Sequence, residues 1–214
     1  MTARLPRGPR KNRSPGDRVS PPLTAERLER AALRYLERFA ASTASFRRVL
    51  MTRVERSARE HGTDRVEGAA LVDALIERYQ RSGLLNDAQY AEAKAATLRR
   101  RGASARAIRE HLAVRGIDAE LSAAALVSAD EAGHANSEHA DSEPADSEPA
   151  DSEHADSEPA DSGDETAARA LARRRRLGPF RSADQRAEHR ARDLASLGRA
   201  GFSYEIARRV IDES

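Results

Sequence analysis

The side chains in this sequence best suited to chemistry are arginines, and their chemistry is the binding of anions. Arg99, Arg100 and Arg101 form one run, with Arg106, Arg109 and Arg115 close behind; Arg173, Arg174, Arg175 and Arg176 form another, and Arg208 and Arg209 a pair. A guanidinium offers a planar fork of donors that matches the oxygens of phosphate or carboxylate. Arg99 to Arg101 fall where a helix should end, so they also complement its dipole. Arg106 and Arg109 are three apart and share a helix face. A run of charge also describes an ordinary solvated face. Clustering in successive units makes these residues candidates for contact with a partner protein or DNA. If they contact phosphates, affinity falls steeply with salt.

Other chemistry finds little support. His61, His111, His134, His139, His154 and His189 show no HxxxH spacing, so no metal site is expected. Tyr35, Tyr79, Tyr90 and Tyr204 sit among apolar neighbours and suit core packing better than stacking on bases. The phosphate-loop pattern GxxxxGK(S/T) does not occur, nor do the GxSxG, kinase or zinc-protease signatures. The expectation is a protein that is not an enzyme, with no catalytic residue and no cofactor.

The elements that position these arginines must be helices of modest apolar content. Of 214 residues only 4% are aromatic, and tryptophan and cysteine are absent. A core must come from Leu, Ile, Val and Ala, which small helical modules achieve by stacking on one another. The lack of cysteine excludes disulfides and thiolate metal sites. No apolar run reaches the roughly 18 residues of a membrane helix. The arginines near the N-terminus lack the apolar segment of a signal peptide, which makes the cytoplasm the expected location.

The net charge of +2 hides a segregation. From Asp130 to Glu165 there are 14 acidic residues and no Lys or Arg. Without them, 37 basic residues face 21 acidic ones, a net of +16. Only Lys11 and Lys94 are lysines. A nucleic acid or an acidic protein face is the partner such a surface suits.

Periodicity and punctuation divide the chain. Residues 1–22, rich in Arg, Pro and Gly, read as a disordered basic arm. Leu28, Ala32, Tyr35, Leu36 and Phe39 mark one face of a first helix capped by Thr24. Helices over about 45–60 and 65–81 complete a unit spanning 23–83. Asn86, with Gln89 three residues on, opens a second unit over 84–130. Residues 131–163 contain a five-residue repeat of Ala-Asp-Ser-Glu followed by Pro or His, read as a disordered, self-repelling acidic linker. Its carboxylates could instead compete with phosphate for the basic units. A third unit over 164–214 has Ser182 and Gln185 as another capping pair. The phrase Gly, apolar, Asp/Ser, any, Glu, apolar occurs at Gly116–Leu121 and at Gly201–Ile206, each a helix-turn-helix joint. The fold class expected from these features is all-α, built of tandem three-helix repeats.

Several phrases resemble the RecX family of recombination regulators. Leu33-Arg34-Tyr35-Leu36 and Ser45-Phe46-Arg47-Arg48-Val49-Leu50 are similar to its first repeat. Gly83-Leu84-Leu85-Asn86-Asp87-Ala88-Gln89-Tyr90-Ala91 is similar to the start of the second, continued by Arg101-Gly102, Ile108 to Leu112 and Arg115 to Asp118. Gly201-Phe202-Ser203-Tyr204, with Ile206, Ala207 and Val210, resembles its C-terminal signature. The resemblance implies an elongated crescent of three three-helix repeats. It also implies a partner, the RecA recombinase filament, whose ATPase and strand exchange are inhibited, with contacts to DNA that are not sequence-specific. The long acidic linker and the extra residues from Arg56 to Asp64 depart from the pattern.

Two functions stay open on the sequence. One is a monomeric, RecX-like modulator lying along a RecA–DNA filament. The other is a DNA-binding protein that uses its helix-turn-helix joints without the recombinase.

Overall fold

The computed structural model describes residues 21–135 and 162–213. The basic arm expected over 1–22 and the acidic linker expected over 131–163 lie mostly outside the described residues. Helix α1 covers Ala25–Leu36, α2 Thr43–His61, α3 Arg65–Arg81, α4 Asp87–Arg100 and α5 Ala105–Ala113. Helices α6 Ala119–Ala135, α7 Ser162–Arg175, α8 Ala183–Arg199 and α9 Tyr204–Ile211 follow, with a 3-10 turn at Gly178–Phe180. No strand occurs among the described residues, so the fold is all-helical.

Most helices start where a short polar side chain satisfies otherwise unpaired amides. Thr24 Oγ1 accepts from the Arg27 amide at 3.3 Å, Asn86 Oδ1 from Gln89 at 3.1 Å, and Asp118 Oδ1 from Leu121 at 2.7 Å. Ser182 departs from expectation: it precedes α8 but makes no side-chain cap bond. Helix α1 also stops earlier than its apolar stripe suggested. The Arg38 and Phe39 amides both turn back to the Tyr35 carbonyl, leaving Phe39 half exposed with its ring 5.2 Å from that of Tyr35.

Each triplet of helices has its own core. In the first unit Leu28, Phe46, Leu50, Val54 and Val72 are fully buried, and the Phe46 ring lies 6.2 Å from that of Tyr79. Helix α3 lies close to α2 because position 68 is glycine; a Cβ there would fall 2.5 Å from Val54 Cγ1. The second unit buries a row of alanines, Ala91 and Ala95 on α4 and Ala125 and Ala129 on α6, beside Ile108 and Leu112. The third closes over Leu171, Leu197, Phe202, Ile206 and Val210. There Asp193 is 1% exposed; it accepts the Gly178 amide at 2.9 Å and pairs with Arg181 at 3.0 Å, which fixes the turn between α7 and α8. Tyr204, expected in the core, is 67% exposed instead, because the inward face of α9 is filled by Ile206, Ala207, Val210 and Ile211.

The three units join through one recurring set of contacts. Ser42, which caps α2, donates its hydroxyl to the Arg115 carbonyl at 2.6 Å, and Ser104, which caps α5, donates to the Ala200 carbonyl at 2.9 Å. The next amide along, Thr43 or Ala105, donates to Asp87 or Asp164 of the following unit, both at 2.7 Å. Gly116 and Gly201, with φ of 74° and 87°, complete the two joints. A Cβ on Gly116 would lie 2.4 Å from Ala44 Cβ, and one on Gly201 2.6 Å from Ser104 Oγ. Left-handed backbone and close approach both demand glycine there. The third unit therefore packs directly on the second, although the acidic tract lies between them in sequence.

Candidate functional site

The arginines nominated by sequence fall into different environments. Arg99 is 7% exposed and acts as an internal strut. Its guanidinium meets Asp130 on α6 at 2.8 Å and Asp164 on α7, and donates to the Ala103 carbonyl at 3.2 Å. Burial opposes its charge, and the Asp164 and Asp130 carboxylates more than offset that opposition. Such a group is not available to phosphate. Its neighbours Arg100 and Arg101 point to solvent, as do Arg106 and Arg109 on α5.

A second cluster on α4 and α5 carries a clear electrostatic signature. Burial, then the Arg115 and Arg101 charges, lowers the Lys94 ammonium from its ordinary value. Burial, then Arg115 and Lys94, pushes His111 down to about 4. Arg115 is half-buried and donates to the His111 carbonyl at 3.0 Å, and His111 Nε2 is buried without a hydrogen-bond partner among the described residues. Like charges collected around a neutral imidazole have an unmet demand for an anion.

In the third unit Arg173 lies 5.4 Å from the Phe180 ring centroid, and Arg174, Arg175 and Arg176 are exposed. Arg208 and Arg209 border a groove of about 490 Å³ that also holds Arg169 and Arg190. This groove is largely neutralised by acids. Arg209 pairs with Glu165 at 2.7 Å, Arg190 with Asp212 at 2.7 Å and Arg169 with Glu213 at 2.7 Å. The hydrogen bond and then the charge of Glu165 raise Arg209, while the hydrogen bond of Arg190 is the main cause that lowers Asp212.

The arginine cluster most open to a ligand was not among the nominated residues. A groove of about 370 Å³ in the first unit is lined by Arg27, Arg30 and Arg34 of α1 and Arg53 and Arg56 of α2, with Pro21 and Pro22 at its edge. All five are exposed. Among the described residues, Arg27, Arg30 and Arg34 donate only to the backbone carbonyls of Pro22, Glu26 and Arg30, and none of the five pairs with a carboxylate. The nearby Glu29 is bound to Arg78 on the other side. A concave surface of five unneutralised guanidinium groups suits a polyanion with spaced oxygens, such as a nucleic-acid backbone. The signal in the sequence is the 27, 30, 34 and 53, 56 spacing, helical in each segment; only packing of α1 on α2 unites the two.

No group of three or more His, Asp or Glu residues that could hold a metal occurs among the described residues. No described helix is long and apolar enough to cross a membrane.

Comparison with known proteins agrees with this architecture. The family model described as RecX, second three-helix domain, matches residues 86–126, which cover α4, α5 and the first half of α6. A relative named Regulatory protein RecX, from Myxococcus xanthus (strain DK1622), is 41% identical over 208 residues, covering 97% of this chain and 96% of its own. No solved structure matches.

Proposed function

The chain belongs to the RecX family of regulatory proteins, and on that premise we propose that it binds the RecA–DNA filament in the cytoplasm and lowers recombinase ATPase and strand exchange, so regulating recombination and DNA repair. The observation that carries the reading is a pair of cationic surfaces, the five-arginine groove of the first unit, which no described carboxylate neutralises, and the Lys94–Arg101–Arg115 cluster of the second, whose like charges lower Lys94 and His111. An array of three units joined by direct contacts can bridge successive sites along a helical polymer, where modest contacts sum. Arg100, Arg106, Arg109, Arg174 and Arg208, all exposed, are further candidates for contact with DNA phosphates or recombinase carboxylates. The mechanism needs no catalytic group. A molecule laid across neighbouring protomers impedes the rearrangements that ATP turnover and filament growth require.

The test is DNA-dependent ATP hydrolysis by the matched recombinase, with DNA in excess over the added protein. Inhibition at far fewer molecules than DNA sites supports action on the filament, because sequestering DNA cannot produce it. Inhibition only at DNA saturation replaces this reading with that of a direct DNA-binding protein.

A further inference from the structure

The joint that links the units has two halves. The upstream unit gives a cap serine and the amide after it; the downstream unit gives a glycine turn, the carbonyl before that glycine, and an acidic residue in its first helix. Both internal joints use this set, with hydroxyl-to-carbonyl distances of 2.6 and 2.9 Å and amide-to-carboxylate distances of 2.7 Å. Both serines are fully buried.

Each end of the array carries counterparts of one half of this set, Gly62 and Glu26 at one end and Ser182 and Ala183 at the other, that meet no other unit among the described residues. At the end of the third unit, Ser182 stands before α8 as Ser42 stands before α2 and Ser104 before α5, yet it is exposed and makes no cap bond; Ala183 beside it is exposed too. At the start of the first unit, Gly62-Thr63-Asp64 repeats the spacing of Gly116-Ile117-Asp118 and Gly201-Phe202-Ser203, a glycine two residues before the cap of the third helix. Gly62 has φ +69°, and no described atom lies within 4 Å of where its Cβ would be, whereas the other two glycines are packed against a neighbouring unit. Glu26 supplies an exposed acid in the first turn of α1.

We propose that these ends are complementary, so that a second copy of this chain docks head to tail, the Gly62 turn and Glu26 of one molecule meeting Ser182 and Ala183 of the next. The interface is heterologous, one end of a molecule meeting the opposite end of the next, so it builds a head-to-tail row or ring rather than a symmetric dimer. The interface continues one already made twice within the chain. A serine placed at a helix start without capping it, and a left-handed glycine turn with no described atom packed on it, are the parts of that interface left over when the array ends. Inside the chain the tether keeps the units at high effective concentration; between molecules the same contacts are weaker and need concentrated protein. The inference does not depend on the filament reading.

The absence of cysteine allows a direct test by disulfide trapping in the full chain. Ala183→Cys and Glu26→Cys proteins are mixed at high concentration and oxidised mildly, with Val127→Cys, on an exposed site of α6, replacing Glu26→Cys as the control. The expected result is at least about fivefold more mixed dimer from the first pair than from the control pair, and a ladder of higher species from the doubly substituted chain. Adding Ser182→Trp, at an exposed site with no bond to lose, should return the yield to the control level while the far-ultraviolet circular dichroism stays unchanged. Equal yields from the two pairs, or trapping indifferent to Ser182→Trp, overturns the proposal. Inhibition of recombinase ATPase is measured separately and bears only on the filament reading.

Discussion

The first and third units hold grooves of comparable size walled by arginines, and they have opposite electrostatic character. Around Arg27, Arg30, Arg34, Arg53 and Arg56 no described carboxylate answers the charge. Around Arg169, Arg190 and Arg209, each guanidinium is held by an acid, Glu213, Asp212 or Glu165. Arg99, at the entrance to the third unit, takes this furthest, with two carboxylates and almost no exposure. An arginine that already has its anion adds little to the field that attracts another, so the number of arginines in a unit says less about binding than their pairing.

The strongest way to break this comparison is to remove the most enclosed arginine. Arg99→Ala leaves Asp130 and Asp164 facing each other with side-chain exposures of 17% and 13% and no cation between them. Loss of one partner from a buried pair costs about 3–5 kcal/mol, which urea denaturation reads as a shift in midpoint. The damage should centre on the joint between the second and third units, with faster amide exchange in α7. Arg100→Ala, one residue away and exposed, should leave stability nearly unchanged. If the two variants unfold alike, Arg99 is not the strut described.

The next test reads binding. Arg27→Glu, Arg30→Glu and Arg34→Glu together should weaken DNA binding on the order of 100-fold at about 0.1 M salt, and reduce the salt slope by about 2–3, near one for each phosphate that loses its cation. The matched triple change at Arg169, Arg190 and Arg209 should alter the slope by less than about one, because these residues face acids. Its effect should appear instead as lower thermal stability. A larger binding loss from the third-unit variant would reverse the assignment.

How much of this could be read from the sequence differs by feature. The caps Thr24 and Asn86, the glycine turns and the three-helix grouping follow from local chemistry, and the structure keeps them. Arg99, Arg100 and Arg101 are identical as letters, and helical phase separates them. Arg99 continues the buried row of Ala91 and Ala95 at intervals of four, so its burial was visible in the period. Its two carboxylates were not, since Asp164 is 65 residues away. The third glycine-to-cap phrase was disguised by polar Thr63 where the other two have Ile117 and Phe202. The first-unit groove was hidden because two helices, α1 and α2, contribute to it.

The smallest effect expected is linked to protons, and it sharpens the contrast within the second unit. His111 titrates at about 4 in the free protein because of burial and the Arg115 and Lys94 charges. The folded state therefore binds fewer protons than the unfolded chain between about 4 and 6.5, and stability falls as pH drops through that window. A phosphate seated among Lys94, Arg101 and Arg115 reverses the local field and lifts His111 back toward its ordinary value. Binding then takes up a proton, so affinity for DNA should rise as pH falls. Full restoration to the ordinary value bounds the gain at about tenfold between about pH 7.5 and 5.5. His111→Gln should bind with a flat pH profile over that range, and its acid stability should improve because no buried imidazole resists protonation. If the variant keeps the pH dependence of binding, no anion sits in this cluster, and the open groove of the first unit is left as the main contact with phosphate.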